Sequence, residues 1–174
     1  MAAIEVRTLR PDDDRTGFRS GNEALDSFFL RYAGQNQFRH HVGTTYVACD
    51  GDRIVGFATV APASITLDEL PEERRRGLPH YPLPVLRLGR LAVAADSQRQ
   101  GIGSALVRKV CEIAKEMAER IGCVGILVDP KPDSIDFYER LGFELVETLQ
   151  GQVSQELPAP RFLPLGEIPE LVED

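Results

Sequence analysis

The sequence predicts a layered domain of α/β or α+β class, and two observations lead to that prediction. Along the second half of the chain, β-rich runs and helical patterns alternate as strand, long helix, strand, short helix, strand. The chain has 174 residues, 43% of them hydrophobic, which is enough for one compact domain with a sizeable core. We therefore expect a single domain over 1–174, with an acidic C-terminal tail from about residue 166.

The first half of the chain contains four predicted elements: a strand at 4–9, a helix at 22–38, and strands at 44–49 and 54–61. The helix has apolar residues at helical spacing, and Asn22 stands where an N-cap is needed. Asp50-Gly51-Asp52-Arg53 is typical of a hairpin turn between the two strands.

The second half contains five predicted elements: a buried strand at 85–93, a helix at 100–121, a strand at 123–128, a helix at 133–141 and a strand at 143–147. The long helix carries one apolar stripe, and Gly122 is placed to end it. Residues 62–84 are predicted to be irregular because they contain five prolines. A connection of that length inside a compact domain is usually functional.

Composition narrows the class of protein. The chain lacks an apolar run of the roughly 20 residues that a membrane span needs, and the apolar core of a secretory signal is missing from its first residues. Cys49, Cys111 and Cys123 each lie in an apolar pattern without metal-ligand or disulfide spacing, so they are predicted to be buried free thiols. We expect a cytoplasmic protein without a metal.

The net charge of −7 is unevenly distributed. Residues 144–174 hold seven acids and one base, so this segment carries −6, whereas the other 143 residues carry only −1. A basic face on the body of the protein therefore remains open, and the total charge does not exclude a nucleic-acid partner.

The segment QRQGIGSAL at 98–106 is the main candidate for a binding site. Glycines at 101 and 103 let the backbone approach an anion, and the first N–H groups of the following helix point outward without partners. This arrangement favours a pyrophosphate. A glycine-rich helix entry without a ligand is the alternative that the segment alone leaves open. Neither a Walker loop nor the GxGxxG fingerprint is formed here.

A second motif decides between these alternatives. RLGRLAVAADSQRQGIGSALV at 87–107 resembles the central motif of the GNAT N-acetyltransferases, in which a strand ending LAV precedes (Q/R)xxGxG and a long helix. IDFYERLGFE at 135–144 resembles the second signature of that family, and IVGFA at 54–58 resembles its central strands. The resemblance covers about 5–165 and implies the GNAT fold, a mixed, mostly antiparallel central sheet with helices on both faces.

The resemblance extends to one branch of that family. SGNEALDSFFLRYAGQN, PHYPLPVLRLGRLAV and PRFLPL are similar to the acetyltransferase toxins of bacterial toxin–antitoxin pairs, which acetylate the α-amine of aminoacylated tRNA. This likeness implies acetyl-CoA as the donor, aminoacyl-tRNA as the acceptor and an antitoxin protein as a partner. It also suggests a homodimer.

The resemblance further implies roles for matching positions. The strand end, Leu91, Ala92 and Val93, should offer backbone groups to the pantetheine arm. The pyrophosphate should be surrounded by six residues: Arg99, Gln100, Gly101, Ile102, Gly103 and Ser104. A solvated surface arginine is the alternative for Arg99, and we expect Ile102 and Leu106 to lie in the core, with only the Ile102 amide facing the ligand.

Tyr138 is the candidate catalytic residue, because a phenol of pKa about 10 can donate a hydrogen bond or a proton to the departing thiolate of CoA. A purely packing tyrosine is the alternative, since only one of the adjacent Phe137 and Tyr138 can face the core squarely. Lys131 and Ser134 depart from the Asn and Ala frequent in the family, which puts a side-chain contact from this loop to the cofactor in doubt.

The sequence does not identify a general base, because 85–93 contains no carboxylate. An α-amine of pKa about 7.7 is neutral about 15–20% of the time at pH 7, whereas a lysine of pKa about 10.4 is neutral only about 0.04% of the time. An enzyme without an obvious base therefore suits an α-amine better than a lysine. A water with a base from another part of the chain would remove this preference.

The basic residues have two interpretations. Arg74-Arg75-Arg76, Arg87 and Arg90 are candidates for contact with RNA phosphates. The alternative is a solvated loop whose arginines pair with Glu69, Glu72 and Glu73. Strand alternation places Arg87 and Arg90 on opposite faces.

We therefore expect direct acetyl transfer to a primary amine, with aminoacyl-tRNA as the first choice of acceptor. A small-molecule amine or a protein N-terminus is the alternative acceptor. A CoA-binding module without catalysis is the alternative class, and the presence of Tyr138 argues against it.

Overall fold

The structure is a computed structural model that describes residues 3–146 and 159–168. Within these residues the chain forms seven strands and four α-helices. The strands are β1 Glu5–Thr8, β2 Thr44–Asp50, β3 Arg53–Ile65, β4 Leu83–Val93, β5 Gly125–Val128, β6 Glu144–Leu145 and β7 Arg161–Pro164. The helices are α1 Glu23–Arg31, α2 Ala33–Phe38, α3 Ile102–Arg120 and α4 Ile135–Arg140.

The strand order is β1-β2-β3-β4-β5-β7-β6. β1 pairs with β2, β2 with β3, β5 with β7 and β6 with β7, all antiparallel. The predicted class of strands and helices around one sheet is confirmed. The chain divides into two compact units, of which the first holds residues up to 61 and 88–110, and the second holds 62–87 and the residues from 111.

The first unit has a core built around aromatic rings. Phe29 of α1 stacks on Phe57 of β3 with ring centroids 4.4 Å apart and planes 4° from parallel, and Phe18 meets both rings edge-on. The helix begins as predicted, because the side chain of Asn22 accepts a hydrogen bond from the Leu25 N–H. The hairpin of β2 and β3 is confirmed as well, with Gly51 at φ +60° in its turn.

The predicted helix at 22–38 is two helices in the structure. α1 ends at Arg31, and α2 begins at Ala33. Arg15 donates from Nη1 to the carbonyl oxygen of Phe29 at 2.7 Å, which is the oxygen that the Ala33 N–H would bond in a continuous helix. The break is therefore associated with a side chain from outside the helix.

The second unit has its own apolar cluster. Its buried members are Ile65, Leu70, Leu83, Val85, Val146 and Phe162. Leu70 belongs to the connection between β3 and β4, so this connection is anchored in the core. The prediction that 62–84 is irregular was wrong at both ends and partly in the middle. β3 continues to Ile65, β4 begins at Leu83, and short 3₁₀ turns form at Leu67–Glu69 and Glu72–Arg74.

The ion pairs expected for the arginine run also differ in the structure. Arg74 bonds Glu144 on β6 at 2.7 Å and Glu167 at 3.1 Å. Arg75 donates to the carbonyl oxygens of Leu70 and Asp68. Glu69, one of the expected partners, accepts instead from the backbone and hydroxyl of Thr66, which caps the first 3₁₀ turn.

The strand predicted at 143–147 begins at Glu144 and ends at Leu145, while its last predicted residue lies outside the described residues. β7 was not predicted as a strand. The part of the acidic tail beyond 168 also lies outside the described residues. No helix in the described residues has the length and apolar character needed to cross a membrane.

Candidate active site

The strand end assigned to the cofactor lies in the first unit. Leu91, Ala92 and Val93 are the last residues of β4, where Ala92 is buried and its two neighbours are half-buried. Just beyond the strand, the Ala94 N–H donates to the carbonyl oxygen of Val55 on β3 at 2.8 Å. This hydrogen bond ties the end of β4 to β3.

The loop after β4 is braced at two places. Asp96 forms an ion pair with Arg53 at 2.7 Å, which links the loop to the start of β3. The side-chain N–H group of Gln98 donates to the carbonyl oxygens of Ser20 and Val93, at 3.3 and 3.4 Å. The motif glutamine therefore supports the loop from within. Sequence reasoning missed Arg53 and Asp96, and their distance of 43 residues left no local pattern to find them.

Two residues of the loop have a left-handed backbone conformation, with positive φ. Arg99 has φ +64° and Gly101 has φ +80°. For a residue with a Cβ, such as Arg99, the left-handed conformation costs about 1–2 kcal/mol. The surrounding structure therefore imposes this conformation on Arg99. A Cβ added at Gly101 would have nothing within 4 Å, which means that this side of the loop is open.

α3 begins two residues later than predicted. The carbonyl oxygen of Gly101 accepts the first helical hydrogen bond, from the Ala105 N–H at 3.0 Å. The N–H groups of Ile102, Gly103 and Ser104 consequently lie in the first turn, where no intrahelical partner exists. With the positive end of the helix dipole, these unpaired amides are available to an anion, and they lie in the segment for which the sequence predicts a pyrophosphate site.

The beginning of α3 rests on a glycine of β3. A Cβ at Gly56 would lie 3.0 Å from the Ile102 side chain, 3.1 Å from that of Leu106 and 3.1 Å from the Ala92 carbonyl oxygen. Ile102 and Leu106 are buried, as predicted, at 3% and 0% exposure. Arg99 and Gln100 are exposed, while Gly103 and Ser104 are half-buried.

Tyr138 lies on α4 in the second unit, and its residue is 4% exposed. Its ring meets Phe137 and Phe143 edge-on, with centroids 5.1 and 5.4 Å apart. Of the two adjacent aromatic residues, Tyr138 is the buried one and Phe137 is half-buried. Burial raises the pKa of Tyr138 well above its usual value.

The chain next to Tyr138 is fastened by a residue that sequence reasoning did not single out. Arg161 of β7 is 8% exposed and donates from Nε to the carboxylate of Glu139 at 3.3 Å. It also donates from Nη1 to the Ala159 carbonyl oxygen at 2.6 Å. A buried arginine on an unpredicted strand could have been suspected only from its apolar neighbours in PRFLPL.

The two arginines of β4 have different partners. Arg87 forms an ion pair with Asp129, which follows β5 in the second unit. Arg90 places its guanidinium carbon 3.7 Å from the centre of the Phe28 ring in the first unit. The search for a carboxylate in 85–93 could not find Asp129, because Asp129 follows a different strand and approaches β4 only in the folded chain. Within the described residues, no group of three or more His, Cys, Asp or Glu side chains could hold a metal ion.

Known proteins resemble this chain along most of its length. The sequence profile of the acetyltransferase (GNAT) family matches residues 6–143. A tRNA-acetylating toxin of Mycobacterium tuberculosis is 34% identical over 143 residues, which are 82% of this chain and 85% of that protein.

Solved structures share the fold. AtaT complexed with acetyl-methionyl-tRNAfMet has a TM-score of 0.84 at 23% identity, over 94% of this chain and 96% of that one. AtaTR bound with AcCoA has a TM-score of 0.77 at 25% identity, over 95% of this chain and 96% of that one. The fold expected from the two sequence motifs is therefore confirmed.

Proposed function

The chain belongs to the acetyltransferase (GNAT) family, and on that premise we propose that it acetylates the α-amino group of an aminoacyl-tRNA and acts as a toxin. The donor is acetyl-CoA, and the activity is that of an N-acetyltransferase. The observation that carries the choice of acceptor is the 34% identity to a tRNA-acetylating toxin over 82% of this chain. An antitoxin protein, a homodimer, a cytoplasmic location and a single domain over 1–174 belong to the same proposal.

The residues of the first unit fit acetyl-CoA. Three amides in the first turn of α3, in Ile102, Gly103 and Ser104, have no intrahelical partner, which supports a pyrophosphate bound there. Gly101 leaves the loop open on that side, and Arg99 and Gln100 are exposed beside it. The backbone of Leu91, Ala92 and Val93 is proposed to pair with the pantetheine arm in the manner of an added strand.

When bound, acetyl-CoA supplies an acetyl thioester for direct attack by the acceptor amine. We assign Tyr138 the role of proton donor to the sulfur that leaves. Its burial keeps the hydroxyl protonated at neutral pH, which is the form that can donate. The amine must lose a proton, and an α-amine of pKa about 7.7 supplies a useful neutral fraction at pH 7 without a strong base.

The first test replaces the hydroxyl of Tyr138. The Tyr138→Phe variant keeps the ring that packs against Phe137 and Phe143, so it should fold normally. We expect release of CoA from acetyl-CoA with charged tRNA to slow about 100-fold, as for loss of one general acid. Tyr32→Phe, which alters a 48% exposed tyrosine, is the matched control and should keep the wild-type rate.

Equal rates for Tyr138→Phe and the wild type would refute the role of the tyrosine. Release of CoA with a polyamine or a peptide N-terminus, but not with charged tRNA, would replace the proposed acceptor by the alternative one. Binding of acetyl-CoA without release with any amine would indicate a binding module. In cells, growth arrest on expression that a neighbouring upstream gene relieves would support the toxin and its antitoxin.

A further inference from the structure

The connection between β3 and β4 ends in an exposed segment, residues 76–81, which we name the tip. Tyr81 in this segment is 65% exposed, more than Tyr32 at 48%. Arg76 and His80 are exposed on the same segment. Exposed aromatic rings and guanidinium groups often occur together at binding surfaces, where they stack on ligands and pair with anions.

The tip projects from a connection that is anchored on the protein side. Leu70 is 1% exposed in the apolar cluster of the second unit, and Leu78, inside the tip, packs against the same cluster. Arg75 donates to the Leu70 carbonyl oxygen at 2.9 Å, and the Leu78 N–H donates to the Arg75 carbonyl oxygen at 3.2 Å. The exposure of Tyr81 therefore belongs to an ordered segment.

A chain of contacts inside the second unit joins this connection to Tyr138. Arg74 bonds the carboxylate of Glu144 at 2.7 Å. Phe143, the residue before Glu144, donates its N–H to the carbonyl oxygen of Tyr138 at 3.1 Å and meets its ring at 5.4 Å. The tip thus begins two residues after Arg74. Arg74 is paired with Glu144, and Glu144 directly follows Phe143, whose ring contacts that of Tyr138.

Arg74 and Arg75, the first two arginines of the run, have partners within the protein. Arg74 is held between Glu144 and Glu167, and Arg75 is turned toward backbone carbonyl oxygens. Arg76 is the exposed member of the three. Among the three arginines, the exposed positive charge is therefore that of Arg76, which lies in the same segment as Tyr81 and five residues before it.

We propose that the tip binds unpaired nucleotides of the acceptor RNA, with a base stacked on Tyr81 and a phosphate at Arg76. Proteins recognise single-stranded RNA ends by stacking bases on aromatic rings and by pairing phosphates with arginine. The tip spans at most about 18 Å, since an extended chain covers up to about 3.6 Å per residue, and this length suits a few nucleotides. The inference rests on the proposed function and specifies where the 3′ end of the tRNA lies.

Binding is measured by fluorescence anisotropy, with uncharged tRNA and with a short single-stranded RNA ending in CCA as probes. Tyr81→Ala should raise the Kd for both probes about tenfold, because loss of stacking on one aromatic ring raises Kd by about 5- to 150-fold. Tyr81→Trp should retain the wild-type Kd. The affinity constant K falls as salt rises. Arg76→Gln should make this dependence shallower, reducing the magnitude of the slope of log K against log salt by about 1. Tyr32→Ala is the matched control and should change neither probe.

Steady-state assays with charged tRNA provide the second readout. Tyr81→Ala should raise the KM for charged tRNA about tenfold and leave kcat and the affinity for acetyl-CoA unchanged, since the site carries only binding. Thermal midpoints equal to that of the wild type would show that the exposed substitution leaves the fold intact.

Three results would overturn the inference. If the wild type acetylates charged tRNA but Tyr81→Ala matches it in Kd and KM, the tip is not an RNA site while the proposed function stands. If Tyr81→Ala loses affinity for the antitoxin protein and not for RNA, the tip is a protein-binding surface. A wild type that neither binds RNA nor acetylates charged tRNA refutes the proposed function itself, together with this inference.

Discussion

Burial of Tyr138 keeps its hydroxyl in the protonated form, which is the form that can donate a hydrogen bond or a proton to the leaving sulfur. Its phenolate would be desolvated among Phe137, Phe143 and the surrounding core, so the protonated form is favoured and the pKa rises above the usual value of about 10. A hydroxyl with a raised pKa keeps its proton throughout the physiological range. The same burial that packs α4 also preserves the donor.

The pH dependence of the reaction follows from this shift. We expect kcat/KM for charged tRNA to rise between about pH 6 and 8 as the acceptor amine, of pKa about 7.7, loses its proton. Ionisation of Tyr138 should cause no fall up to about pH 10, because its pKa is raised and not lowered. Initial rates from pH 6 to 10 would measure the rise and show whether a fall follows it.

The Tyr138→Phe variant is the control for that profile. A falling limb near pH 9 in the wild type that disappears in Tyr138→Phe would mean that the tyrosine ionises early, against the expected shift. A rising limb that persists in both proteins would assign it to the amine. Comparison of the two pH profiles therefore separates ionisation of the substrate amine from ionisation of Tyr138.

Single residues were predictable from the sequence where local pattern decides their environment. Ile102 and Leu106 lie in the core because they occupy one face of an amphipathic helix. The partners of Arg74 were not predictable in this way. Its carboxylates stand 70 and 93 residues away, while Glu69, an acid close to it in sequence, accepts from Thr66 instead. Charge proximity along a chain does not indicate proximity in space.

At the scale of elements, the entry to α3 depends on the glycine at its first carbonyl. Gly101 has φ +80° and open space around a potential Cβ, so Gly101→Ala introduces backbone strain without a steric clash. The strain costs about 1–2 kcal/mol and should move the loop out of its αL conformation. We expect the KM for acetyl-CoA to rise about tenfold, as for loss of a hydrogen bond to a charged group.

Gly51→Ala is the matched control for that change. Gly51 has φ +60° and also has nothing within 4 Å of an added Cβ, but it lies in the turn between β2 and β3. Both variants should unfold at a similarly lower urea concentration, and only Gly101→Ala should weaken acetyl-CoA binding. Equal KM values for the two variants would contradict the role of the Gly101 loop.

Elements with a strong period were predictable, and elements defined by distant contacts were not. α3 and the hairpin of β2 and β3 match their predicted places within a few residues because their periodicity and turn sequence are local. β7 escaped prediction because it is only four residues long, follows Pro160, ends on Pro164 and is defined by pairing with β5. The break between α1 and α2 follows a hydrogen bond from Arg15, which no local pattern contains.

At the scale of the whole molecule, the position of the charge matters more than its total. Seven of the 27 acids lie in 144–174, and two of these, Glu144 and Glu167, hold Arg74. The other part of the chain carries a charge of only −1. An acidic protein of this kind can present a basic segment such as the tip to RNA, because phosphate binding depends on local charge within a screening length of about 8–10 Å.

The proposal that 1–174 is one domain makes a prediction about unfolding. β3 and β4 each contribute residues to both compact units, and Cys49 lies in the first unit while Cys123 lies in the second. Both thiols are buried, and burial raises the pKa of each, so neither should react with alkylating reagent in the native protein. In urea, the two should become reactive at the same midpoint, because one domain unfolds cooperatively.

Pulsed alkylation followed by mass spectrometry of the Cys49 and Cys123 peptides measures these midpoints separately, and circular dichroism provides the reference for loss of the helices. Two midpoints that differ beyond error would show that the units unfold independently, in which case the single-domain prediction is wrong. Coincident midpoints would mean that strands shared by both units transmit unfolding from one to the other. A substitution that weakens either core, such as Phe29→Leu in the first unit, should then shift both midpoints together, by the amount that loss of about 1 kcal/mol or more produces.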